Sequence, residues 1–176
     1  RSLKPYVADR PFDIIRLIYF GRVSESKNVD VVIKVAGELK KRGYNTLTTI
    51  IGGYTEDYKV KLDHVIEKCK LVEDEVQILG QQPFERICEE LQKAHFFVFP
   101  SQEKMEGHSN SLTEAMTFGV VPVVSTAGFN ASIVSNEELV VSDINPERYA
   151  DVIESIIKRN VWAKYSLNVY KRIKEN

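Results

Sequence analysis

Short, unbroken apolar runs recur along the chain at residues 14–20, 47–51, 76–79, 96–99 and 120–124. None of them alternates apolar with polar side chains, so each predicts a strand covered on both faces, as in a parallel sheet. Between the runs the apolar period lengthens to that of an amphipathic helix. Val31, Val32, Val35 and Leu39 share one face; Leu62, Val65, Ile66 and Cys69 a second; Phe84, Ile87, Cys88 and Leu91 a third; Tyr149, Val152, Ile153 and Ile156 a fourth. Gly43, Gly52-Gly53, Gly80, Gly119 and Gly128 fall at the joints, and Pro83 and Pro146 stand where helices should begin. Strand and helix in alternation, joined by right-handed crossovers, give an α/β fold, a doubly wound Rossmann-like parallel sheet. Residues 1–160 read as this single domain. Residues 161–176, with Trp162, Tyr165, Leu167, Val169 and Tyr170, read as a closing amphipathic helix whose aromatic content suits a partner outside the domain.

Composition narrows the function classes. With 176 residues, 43% of them apolar, the chain can bury one substantial core. Its 24 Lys and Arg nearly cancel its 25 Asp and Glu, so no overall field draws it to nucleic acid. Cys69 and Cys88 fall at apolar helix positions, which suits free thiols in a reducing compartment better than a disulfide frame. No signal peptide is visible, and no apolar run approaches the roughly 20 residues needed to cross a bilayer. The expectation is a cytoplasmic protein.

Chemistry concentrates at the ends of the predicted strands. In doubly wound sheets ligands bind beyond the carboxyl ends of strands, and Gly21-Arg22, Gly80-Gln81 and residues 100–111 all follow strands directly. Residues 100–124 carry Glu106 and Glu114, seven residues apart, where a strand gives way to a helix opening near residues 109–111. Backbone N–H groups from Gly107 onward would there hold an anion, the usual property of helix N-termini. Each candidate has a plainer reading. Arg22 and Lys27 could be solvated surface cations, Glu106 a loop carboxylate in water, and Ser109 and Ser111 simple helix caps. Glu114 could close a capping box with Ser111. His108 falls inside the segment; His64 and His95 read as structural. No histidine or cysteine pair has metal-ligand spacing, so no metal is expected.

The segment resembles the donor-binding region of glycosyltransferase family 4, whose signature is E-x7-E, then Ala-Met, then Gly-x-Pro-Val. Here these are Glu106, Glu114, Ala115-Met116 and 119–123 (GVVPV), with Phe20-Gly21-Arg22-Val23 and Lys27 resembling the family's diphosphate clamp upstream. The chain departs from the pattern after the first glutamate, at His108-Ser109-Asn110-Ser111. The resemblance implies the C-terminal half of a two-domain GT-B enzyme, a retaining hexosyltransferase using a nucleotide diphosphate sugar without a metal or other cofactor. It implies catalytic roles for Glu106, Arg22 and Lys27. Donor contacts would come from Gly21, Gly107, His108, Ser109, Asn110, Ser111, Glu114 at the ribose, and Gln82 near the nucleobase. An N-terminal acceptor domain outside this chain, a saccharide or lipid-linked acceptor and peripheral attachment to the inner face of the membrane follow in the same way. So does a role in cell-surface polysaccharide or glycolipid synthesis.

Two other classes share the α/β alternation. An oxidoreductase domain would need a G-x-G-x-x-G turn after its first strand, and Gly21-Arg22-Val23-Ser24 does not supply one. A noncatalytic receiver or interaction domain would want an acidic cluster after the first strand and an aspartate ending a central one; neither is present.

Overall fold

Six strands form one parallel sheet in the computed structural model, which describes residues 10–103 and 110–175. They are β1 (Ile15–Phe20), β2 (Thr46–Ile51), β3 (Val76–Ile78), β4 (Phe96–Phe99), β5 (Val121–Ser125) and β6 (Val140–Val141), in spatial order β3-β2-β1-β4-β5-β6. The five expected strands are present to within a residue at either end. Strand β6 was not expected, because two paired residues are too short to register as an apolar run.

The helices are α1 (Val29–Lys41), α2 (Glu56–Lys68), α3 (Phe84–Lys93), α4 (Asn110–Thr117), α5 (Asn130–Val134), α6 (Pro146–Lys158) and α7 (Trp162–Lys174). Most of the expected faces point inward: Val31, Val32, Val35 and Leu39 are buried, as are Leu62, Cys88, Leu91, Tyr149, Ile153 and Ile156. Phe84 is the exception, at 42% exposed. It opens α3 directly after Pro83, before the helix has turned its apolar stripe onto the sheet. The five-residue α5 carries too few turns to show a period and was also not expected.

Strands β1 and β4 occupy the centre and are almost wholly covered on both faces. Tyr19, Phe97 and Phe99 stack through that core with ring centroids 5.2–6.4 Å apart. Helix α7 completes the layer over α4 and β5. Trp162 Nε1 donates to the His95 carbonyl at 2.8 Å, and Ser166 Oγ donates to the Gly119 carbonyl at 2.5 Å. The Trp162, Ser166 and Val169 face of this helix is therefore buried against its own sheet, while Leu167 remains exposed. No described helix is long and apolar enough to cross a membrane.

His95 belongs to this core. It is fully buried, stacks on Phe12 at 4.0 Å, and its Nδ1 accepts from the Arg16 amide at 3.0 Å. Burial pulls its pKa down to about 4. A histidine depressed from its unfolded value contributes stability above about pH 6.5 that is lost as pH falls through its folded value. The shift is worth on the order of 3 kcal/mol. His95→Gln, which keeps an acceptor for Arg16, should therefore lose less melting temperature than wild type between pH 6.5 and 4; parallel curves would contradict it.

Beyond the sheet's carboxyl edge the backbones of β1 and β2 touch. Gly52 has φ +149°, and a Cβ placed there would stand 1.7 Å from the Gly21 carbonyl oxygen. Neither partner is a side chain that can swing aside. Gly52→Ala is expected to cost about 2–4 kcal/mol in chemical denaturation, whereas Gly43→Ala, at φ +95° but with nothing near its Cβ, carries backbone strain without the clash and should cost less.

Candidate functional site

The order β3-β2-β1-β4-β5-β6 sends the chain from β1 toward one edge of the sheet and from β4 toward the other. The loops following these two neighbouring strands thus part and leave a crevice between them, the usual ligand position in such sheets. Arg22 and Lys27 lie in the first loop; of the second, residues 100–103 are among the described residues.

The first loop is built by backbone contacts. Gly21, at φ +133°, takes the chain out of β1, with its N–H donating to the Ile51 carbonyl at 3.0 Å. The Tyr19 hydroxyl donates to the Arg22 carbonyl at 2.6 Å, and Val23 N–H donates to the Gly53 carbonyl at 3.0 Å. One 3-10 turn, Glu25–Lys27, follows, and Asn28 at φ +53° redirects the chain into α1. Asn28 also joins the two loops, donating from Nδ2 to the Pro100 carbonyl at 2.9 Å. Ser26 and Gln102 add a second tie, from the Gln102 N–H to the Ser26 carbonyl at 3.1 Å.

Arg22 and Lys27 meet over one carboxylate that sequence reasoning passed over. Glu103 lies 3.0 Å from Arg22 Nη2 and 3.4 Å from Lys27 Nζ, and accepts from Ser26 Oγ at 2.6 Å. The Ser26 hydroxyl and these two cations hold its carboxyl below the usual range. Lys27 is mostly covered, its ammonium 5.7 Å from the Phe99 ring centroid, whereas Arg22 extends into solvent.

Beside this cluster a hollow of about 920 Å³ opens over the ends of β1 and β2. Gly21, Arg22, Gln82 and Ser111 line it, so four of the residues expected at the site share one cavity. Three further lining residues were not expected: Tyr54 just ahead of α2, and Tyr58 and Lys61 within it, with Lys61 paired to Glu25 at 2.6 Å. Gly52-Gly53 followed a predicted strand just as Gly21 did, and that adjacency could have pointed to these residues. Gln82 commits its amide nitrogen to the Leu79 carbonyl at 2.7 Å.

Helix α4 brings Ser111 within reach of the β1 turn: a Cβ on Gly21 would lie 3.3 Å from Ser111 Oγ. Ser111 is inside the helix, not ahead of it, so the capping box with Glu114 does not form. Asn110 and Glu114 do not line the hollow. Glu114 is half-buried, and that burial alone pushes its pKa up. Glu106, Gly107, His108 and Ser109 lie outside the described residues. Among the described residues no group of three His, Cys, Asp or Glu side chains is arranged to hold a metal ion.

The comparisons with known proteins agree with this architecture. A C-terminal domain of the group 1 glycosyl transferase LpcC from Francisella tularensis superposes with a TM-score of 0.80 at 20% identity, over 92% of this chain and 85% of that one. Anabaena HepE in complex with UDP and glucose gives 0.82 at 18% identity, over 93% of this chain but 44% of HepE. These likenesses show the fold. In sequence, the amylovoran biosynthesis glycosyltransferase AmsK from Erwinia amylovora is 35% identical over 116 residues, 64% of this chain. The chain spans only 28% of that relative's length. Residues 11–176, from the approach to β1 through α7, match the family described as Glycosyl transferases group 1, and the chain belongs to that family.

Proposed function

We propose that this domain binds the nucleotide diphosphate sugar of a retaining hexosyltransferase, and that the acceptor is held by a second domain outside this chain. The observation that carries the reading is the convergence of Arg22 and Lys27 at the β1–β4 crevice, beside a hollow lined by Gly21, Gln82 and Ser111. A diphosphate gathers charge as the glycosidic bond breaks, so cations at that point hold the transition state more tightly than the ground state. In this reading Arg22 and Lys27 take the β-phosphate without a metal, Glu106 accepts from the sugar hydroxyls, and Glu114 from the ribose. Backbone N–H groups from Gly107 to Ser111 meet phosphate and sugar oxygens, with His108 and Asn110 beside them. Gln82 borders the nucleobase. Retention is inferred from the likeness to family 4: the acceptor attacks on the face the diphosphate leaves, and a phosphate oxygen takes its proton. HepE's complex with UDP and glucose supports a sugar-nucleotide ligand, and AmsK's name supports a polysaccharide product. Saccharide and lipid-linked acceptors both fit, the latter at the inner membrane face.

A thermal-shift panel of UDP, GDP, ADP and NAD checks the reading. One diphosphate at a hundredfold excess over its Kd should add about 2.7 kcal/mol, a rise of roughly 5–10 °C for a chain of this size, while NAD adds nothing. Arg22→Ala should weaken that diphosphate about tenfold by calorimetry. No response to any diphosphate would reject the donor role.

Glu114→Gln tests the ribose contact. Because burial disfavours its charged form, the neutral variant should melt at or above wild type near pH 7, while nucleotide affinity falls about tenfold. A lower melting temperature with unchanged affinity would instead assign the carboxylate to holding α4.

A further inference from the structure

Arg22 and Lys27 are engaged before any ligand arrives. Glu103 spans them, one carboxylate oxygen on the guanidinium at 3.0 Å and the other on the ammonium at 3.4 Å. Ser26 Oγ donates to the same carboxylate at 2.6 Å, and the Gln102 N–H bond to the Ser26 carbonyl at 3.1 Å holds the neighbouring backbone against the first loop. A planar anion with two oxygens, seated between a guanidinium and an ammonium, makes the contacts that a phosphate group would make there. Lys27 is almost covered, with only 13% of its side chain exposed, so its ammonium is held at this point of the crevice.

Charge decides whether both anions can stay. Glu103 already brings one negative charge to Arg22 and Lys27. A diphosphate entering beside the carboxylate would place like charges within a few ångströms in a half-covered site, which is unfavourable. We propose that Glu103 is a resident anion that occupies the phosphate position and exchanges with the donor's diphosphate, lowering nucleotide affinity and hastening release of the nucleotide diphosphate product. The proposal rests on the donor-binding reading above and adds to it a residue that sets affinity. Binding then exchanges one anion for another on the same cations, and departure of the product is assisted by the returning carboxylate.

The test is calorimetry on wild type and Glu103→Gln, using the nucleoside diphosphate selected by the thermal-shift panel and, separately, inorganic pyrophosphate. Gln keeps the shape and can still accept from Ser26, so a melting curve close to wild type is expected. Both ligands should bind about tenfold more tightly to the variant, and their affinities should fall more steeply with added salt. In the variant the cations are matched by dissolved anions instead of by a tethered one. Ser26→Ala, which removes one anchor of the carboxylate, should tighten binding in the same direction by a smaller factor. Unchanged or weaker binding of both ligands by Glu103→Gln would overturn the proposal while leaving the donor reading intact. If pyrophosphate tightens but no nucleotide binds either protein, the resident anion stands and the donor reading fails. If neither ligand binds either protein, both are rejected.

Discussion

Everything at the candidate site depends on how closely the ends of β1 and β2 approach. The Gly21 carbonyl occupies space that any side chain at Gly52 would need, and hydrogen bonds from Gly21 to Ile51, from Gly52 to Gly80 and from Val23 to Gly53 carry the contact across three strands. Parallel strands usually part into separate crossovers at this edge. Here they stay joined for one or two residues more, and the hollow beside Arg22 is the space that results. Its lining residues come mainly from the turns that follow β1, β2 and β3 and from the first half of α2.

The second constraint is the join between the loops after β1 and β4. Asn28, in a left-handed conformation, reaches the Pro100 carbonyl, while Ser26 engages both Gln102 and Glu103. Two segments more than 70 residues apart in sequence are thus held as one unit. The electrostatics follow from this: one carboxylate is shared by two cations because the backbone has already brought the three side chains together.

Much of the fold was legible because its signals are local. Runs of apolar residues covered on both faces mark β1 to β5, and Pro146 opens α6 where its φ suits a first helical turn. The features that escaped are those without a local period: β6 with its two residues, α5 with its five, and Phe84, whose exposure depends on where α3 begins. Of the expected residues that share the hollow, Gly21, Arg22 and Ser111 followed from strand ends and motif spacing, and Gln82 from the family resemblance. Glu103 was not identifiable, because its role depends on proximity to Arg22 across the crevice, and neither were the α2 residues, which reach the hollow only through the β1–β2 pairing. The Ser111–Glu114 spacing fitted a cap in sequence but not in space, since the helix had already started.

The last helix ties the outer layer to the site in a way that bears on where the chain can be cut. Trp162 caps the carbonyl of His95 at the head of β4, and Ser166 closes that of Gly119 just before β5. Ending the polypeptide at residue 160 would unseat both, open the aromatic stack around His95 to water, and loosen the two strands leading into the crevice. An expressed unit that keeps these two bonds therefore includes α7.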